Sequence, residues 1–165
     1  MNPDLTVAQQ LDLALRLTVG LALGAVVGLE REMHSQTAGF RTHSMVALGA
    51  AIFTVVSGFA FTGEGADPTR IAAQIVSGIG FIGAGTILHS RGEIRGLTTA
   101  ASLWAVAGIG MAAGAALYLV AIVSTMLMLI ILSIFDRAEA FARSRLGLTP
   151  DDKRPPGETN EKEAP

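Results

Sequence analysis

Residues 67–85 read DPTRIAAQIVSGIGFIGAG. The stretch opens as a helix does in water. Asp67 is placed to cap the first free N–H groups, and Pro68 suits the first helical position. It then carries Arg70, Gln74 and Ser77, at spacings of four and three and so on one face, into an apolar run of membrane length. Polar groups at that depth are costly and turn toward a protein interior or a water-filled cavity. The stretch therefore predicts a span packed among other spans.

The rest of the chain supplies those spans. Half of the 165 residues are hydrophobic and only 16% are charged, with a mean hydropathy of +0.50. The charges gather into short clusters, as in a membrane protein. Apolar runs near 11–29, 43–61, 68–88, 97–113 and 115–135 predict an all-α bundle of about five transmembrane helices. The fourth run is short, and Gly108, Gly110 and Gly114 divide it from the fifth. A single helix over both would hold about 39 residues, roughly twice what the bilayer core needs.

Loop charges give an orientation. Arg31 and Arg41 follow run one, Arg91 and Arg95 follow run three, and Arg137, Arg143 and Arg145 follow run five. The opposite side offers only Arg70, which places the N-terminus outside and the C-terminus in the cytoplasm. The first ten residues hold no Lys or Arg, so the first run is expected to stay as an anchor rather than leave as a signal peptide. Residues 1–135 form the expected membrane domain. Residues 136–148 read as an interfacial helical extension with Phe141 toward the acyl boundary, and 149–165 as a disordered, proline-rich charged tail.

Several classes of function are excluded. There is no cysteine, hence no disulfide, thiol chemistry or cysteine metal site. No basic patch with interleaved aromatics suggests nucleic acid. His34, His43 and His89 lack a zinc spacing, and no nucleophile–base set or P-loop is present. Glu64 and Asp67 alone make a poor cage for a divalent cation. The expectation is a protein that is not an enzyme and holds no metal or cofactor.

Three constellations remain. Gly20, Gly24 and Gly28 make a GxxxGxxxG face, and Gly78, Gly80, Gly83 and Gly85 give span three two small-residue faces, so span three is expected to sit centrally. Close packing inside the monomer is the simpler use of the first face, and a homodimer seam is the other. Span three's GIGFIG follows no strand and does not signal a dinucleotide site. At the cytoplasmic ends lie Glu30, Arg31, Glu32, Arg41 and His43. Two acids at a helix C-terminus oppose its dipole and call for cationic partners, with Arg31, Arg41 and Arg91 available. Thr42 or Ser44 is placed to cap span two, and Thr98 or Thr99 span four. Lastly Asp67, Arg70, Gln74 and Ser77, facing Thr98, Thr99 and Ser102, form an expected polar vestibule. Asp12 and Arg16 are spaced to pair at the outer end of span one.

The segments GLERE (28–32), AGFRTHSMVALGAA (38–51), DPTRIAAQIVSGIGFIGAGTI (67–87) and GLTTAASLWAVAGIG (96–110), in this order, resemble the MgtC/SapB family of bacterial inner-membrane proteins. The resemblance implies a five-span protein of the bacterial inner membrane. It also implies a regulatory role in low magnesium and in survival inside a host, exerted on another membrane complex such as the F-type ATP synthase. Longer members carry a soluble cytoplasmic domain, where this sequence has a short polar tail. The expected partners are the lipid bilayer and another membrane protein or a second copy. The alternative is a small ion transporter or channel using the polar face of span three.

Overall fold

The computed structural model describes residues 5–60, 67, 69–90 and 93–146, with backbone only at 90, 93 and 135–146. Within them the chain folds as an all-α membrane bundle of five helices: α1 (Val7–Met33), α2 (Phe40–Phe59), α3 (Thr69–Thr86), α4 (Leu97–Gly114) and α5 (Tyr118–Leu146). By length and composition α1, α2 and α4 can each cross a bilayer, and α5 has an apolar stretch over Tyr118–Ile134. The expected tail and the side chains of the extension fall outside the described residues.

Local chemistry sets the helix ends. Thr6 and Gln9 form a capping box at the start of α1: the Gln9 N–H donates to Thr6 Oγ1 at 3.3 Å, and the Thr6 N–H to Gln9 Oε1 at 2.9 Å. Asp67 Oδ1 accepts from the Thr69 N–H at 2.9 Å and the Thr69 hydroxyl at 2.6 Å, which holds the entry to α3. Helices α4 and α5 are separate, with Ala116 in the left-handed region (φ 61°) at the turn between them.

Between α3 and α4 the chain forms a two-stranded antiparallel hairpin, β1 (Leu88–Ser90) and β2 (Glu93–Arg95), in the register Leu88↔Arg95 to Ser90↔Glu93. Gly96 follows it at φ 88° and is the N-cap of α4 without any side-chain cap. A Cβ at Gly96 would run into the Thr86 carbonyl oxygen, so the hairpin folds back tightly onto the end of α3. The expected capping by Thr98 or Thr99 is therefore corrected. A left-handed glycine begins the helix, which leaves Thr99 to be buried inside the bundle.

Helix α4, rather than α3, is the hub. It touches each of the other four helices, and half its length is buried. Helix α3 leans on α4 through Ile75, Ile79 and Gly83 and presents most of its remaining surface outward. The expectation of a central span three fails because three of its four glycines, Gly78, Gly80 and Gly85, have no atom near the position of a Cβ.

The close packing lies elsewhere. A Cβ on Gly24 would sit 2.5 Å from Ala47 Cβ and 2.8 Å from the His43 carbonyl oxygen, and one on Gly20 would sit 3.1 Å from Ala51 Cβ. On the other side of α2, a Cβ on Gly110 would strike the Ala47 carbonyl oxygen, and one on Gly114 would lie 2.8 Å from that of Ala51. Ala47 and Ala51 are thus held between glycine pairs of α1 and α4, and the α1 face is consumed inside the monomer. Around this junction Val27, Val106, Ile109, Ala113 and Ala121 complete the core.

Because the obstacle at Gly110 is backbone, Gly110→Ala is expected to lower stability by about 1–3 kcal/mol. Gly108 faces open space, so Gly108→Ala is expected to be neutral or mildly stabilising. Denaturation in mixed detergent micelles measures both.

Candidate functional site

The end of the bundle where α1 finishes and α2 and α4 begin collects a largely buried polar cluster from four helices. Glu30 and Arg31 come from the last turns of α1, His43 and Ser44 from the first turn of α2, Thr99 and Ser102 from the first turns of α4, and Ser133 from α5. His43 is wholly buried, and Arg31, Thr99 and Ser102 are at most 3% exposed. This position needs charge or polarity on every helix that ends there, which explains why residues distant in sequence meet.

His43 ties α2 to α4. Its Nδ1 lies 3.1 Å from the Gly39 carbonyl oxygen, and its Nε2 lies 3.0 Å from Ser102 Oγ. A carbonyl only accepts, so Nδ1 carries a proton. Ser102 Oγ also lies 2.8 Å from the Thr99 carbonyl oxygen. The serine has one proton to give. With a neutral ring it donates to Nε2; with an imidazolium, Nε2–H donates to the serine, which then donates to Thr99.

Glu32 solves a different problem. Its Oε2 accepts the Phe40 N–H at 2.8 Å, so the acid ending α1 caps the start of α2. Gly39 is the N-cap residue and offers no side chain. The expected caps Thr42 and Ser44 are replaced, and the Ser44 hydroxyl donates back to the Phe40 carbonyl at 2.7 Å. The expected cationic partner of Glu32 is here a helix N-terminus, which carries the same sign of partial charge. Gly28 permits this approach, because a Cβ there would sit 2.7 Å from Phe40 Cα.

Glu30 and Arg31 are less well matched. Glu30 Oε1 lies 3.1 Å from His34 Nδ1 and accepts weakly from the Ser133 hydroxyl at 3.5 Å. Glu30 Oε2 and Arg31 Nη1 are 3.8 Å apart, and these two atoms and Arg31 Nε have no hydrogen-bond partner among the described residues. Arg41 is exposed on the first turn of α2, and Arg91 falls outside the described residues.

The expected vestibule divides in two. Gly83 packs on Ala100, and Gln74 lies nine residues earlier in α3, about 13 Å along its axis toward the other membrane face. Thr99 and Ser102 therefore join His43, while Asp67, Arg70, Gln74 and Ser77 lie exposed toward the opposite end of the bundle and along α3. Thr98 is exposed. Glu64 falls outside the described residues. At that opposite end Asp12 grips Arg16 at 2.6 Å. Arg16 also donates to the Gly114 carbonyl at 3.3 Å and lies 5.2 Å from the centre of the Phe59 ring. The sequence reading had paired Asp12 with Arg16, but it missed Ser133 and the tie between His43 and Ser102. Neither has a local spacing signal, because the partners lie on different helices.

These features define a small polytopic membrane protein with a glycine–alanine junction and buried polar groups at one end. The chain belongs to the MgtC family, whose profile matches residues 17–141. It is 42% identical over 127 residues to YhiD of Escherichia coli K12, provisionally named a magnesium transporter, covering 73% of this chain and 59% of that protein. It is 46% identical over 115 residues to MgtC of Salmonella typhimurium LT2, covering 70% of this chain and 48% of the relative. It is 46% identical over 116 residues to slr0014 of Synechocystis, covering 70% and 49%. The chain thus spans about half the length of the curated relatives it matches. No solved structure matches it.

Removing one member of a buried ion pair leaves the other uncompensated. Arg31→Met is expected to destabilise by about 3–5 kcal/mol, and the double variant Glu30→Gln/Arg31→Met to recover much of that loss. A double-mutant cycle in micelles reads the coupling. At the start of α3, the two Thr69 hydrogen bonds hold the Asp67 carboxyl below the usual carboxylate range. A lowered folded pKa stabilises above that range and is lost as pH falls through it. Amide protection factors in the first turn of α3, taken relative to the intrinsic exchange rate at each pH, are expected to fall only as the pH drops below the usual range, and to be flat with pH in Asp67→Asn.

Proposed function

We propose that this protein is a non-enzymatic regulator in the bacterial inner membrane. It acts on another membrane complex, such as the F-type ATP synthase or the machinery of ion homeostasis, during adaptation to low magnesium. Its N-terminus lies outside and its C-terminus in the cytoplasm, with the His43 cluster at the cytoplasmic end. The arginine-bearing loops on that side support this orientation, and family membership supports the link to magnesium.

The observation that carries the regulatory reading is the separation of the polar ends. Arg16 at one end and Glu30 at the other are about 21 Å apart along α1. The interior between them is filled by Ala47, Ala51, Val106, Ile109 and Ala113, every one nearly or wholly buried. The buried hydroxyl at that depth, Thr125, is already spent on the Ala121 carbonyl at 2.8 Å, so among the described residues a desolvated ion finds little to bind there, which argues against conduction through the monomer. The buried His43 cluster instead suits a rigid inner face offered to a partner.

A second reading has its own observation: Arg70, Gln74 and Ser77 form an exposed polar stripe on a membrane helix. A transporter could run along that stripe if another protein surface covered it. Purified protein in liposomes tests the choice. Magnesium flux indistinguishable from protein-free vesicles is expected, together with loss of growth at limiting magnesium on deletion of the gene and rescue by this chain. Saturable flux abolished by Gln74→Leu/Ser77→Ala would favour the transporter instead.

A further inference from the structure

Helix α3 has one buried side and one unfinished side. Ile75, Ile79 and Gly83 face α4. Gln74, Gly78, Phe81 and Gly85 are all exposed, Phe81 to 86%. These four follow one another at intervals of four, three and four. At about 100° per residue they fall within roughly 60° of arc. That is the seam spacing of a left-handed helix pair. Nothing lies within 4 Å of a Cβ added at Gly78 or Gly85, so another helix backbone can approach there. Beside the seam, α2 and α3 splay apart around an apolar groove of about 730 Å³, bordered by Met45, Gly49 and Phe53 from α2, with Gln74 as its only polar side chain among the described residues.

Gln74 selects the occupant. It lies about 7 Å into the helix from Thr69, and its amide makes no hydrogen bond within the described residues. An acyl chain would fill the groove but offers the amide nothing. A primary amide is self-complementary, with two donor hydrogens and one acceptor oxygen. Two copies inserted in the same orientation are related by an axis along the membrane normal, so each residue on the axis meets its own counterpart at equal depth. Gln74 would then face Gln74, Gly78 face Gly78, and Gly85 face Gly85. Arg70 lies one turn nearer the water and Ser77 on the flank, so Gln74 is the polar residue within the seam itself, and such a residue is a known device for fixing register and copy number.

We propose that this face of α3 is a parallel homodimer interface, occupied by α3 of a second copy and registered by an amide pair at Gln74. The exposed Phe81 of each copy is level with the inner end of the other's groove and fills it. The α1 glycines cannot serve this purpose, since α2 already covers them. The proposal does not depend on which process the protein regulates.

The chain contains no cysteine, so single cysteines can be placed without background. Gly78→Cys, Phe81→Cys and Gly85→Cys are expected to give disulfide-linked dimers on oxidation in native membranes. Ala73→Cys, Gly80→Cys and Ala84→Cys, exposed on the far flank of the same helix, are expected to stay monomeric. In the Gly85→Cys background, Gln74→Leu is expected to lose most of the dimer band and Gln74→Asn to keep it. As a check independent of substitution, single-molecule photobleaching of the unmutated chain in nanodiscs is expected to count two copies. Equal crosslinking from both sets, none from either, undiminished crosslinking with Gln74→Leu, crosslinks to a different protein, or one copy per disc would each overturn the proposal. A dimer that also conducts magnesium would leave this inference standing and overturn the regulatory reading, so the two can fail separately.

Discussion

The fold depends on how closely three backbones can approach. In a bilayer, apolar side chains gain little by leaving lipid for protein, so helices associate through close contact and a few polar bonds. Here Ala47 and Ala51 of α2 occupy the space that Gly20 and Gly24 of α1 and Gly110 and Gly114 of α4 leave empty. Each methyl group fits where a larger one would force the helices apart. With α1, α2 and α4 fixed, α5 packs on the hub through Ala121, Met128 and Leu132, and α3 through Ile79 and Gly83.

That approach also creates the polar end. Gly28 brings the end of α1 against the start of α2, so Glu32 reaches the Phe40 N–H. The same convergence buries His43 against Ser102 and leaves Glu30 and Arg31 imperfectly paired. Buried groups with unmet hydrogen-bonding capacity are costly and call for an explanation. A role for this end in contact with other molecules is one, and it is consistent with the regulatory reading. The opposite end is simpler. Arg16 is fully engaged by Asp12, Phe59 and the Gly114 carbonyl, which fastens α1 to the end of α4.

The membrane class, the five helices and the family were legible because they rest on local signals: long apolar runs, glycine breaks such as Gly114, and contiguous motifs such as GLERE. The Asp67 cap and the Asp12–Arg16 pair were legible for the same reason, each lying within four residues. What depended on which helix neighbours which was not. Four glycines made α3 look central, yet of these only Gly83 meets a neighbour among the described residues, whereas all three on the α1 face do. The caps of α2 and α4 were misassigned because a residue of another helix, Glu32, and a positive φ at Gly96 took their place. The hairpin at 88–95 was missed because two three-residue strands carry too little alternation to stand out. The site was half legible: its residue types were evident, but its grouping needed the antiparallel alignment of α3 and α4.

The most direct test is the environment of the Ala47 methyl group. In alanine-labelled protein in nanodiscs, nuclear Overhauser cross-peaks are expected from the Ala47 methyl to the Gly24 α-protons and from the Ala47 α-proton to those of Gly110, with none to lipid acyl chains. Cross-peaks from Ala47 to acyl chains, with either glycine missing, would contradict the account, because α2 would then not be held between α1 and α4.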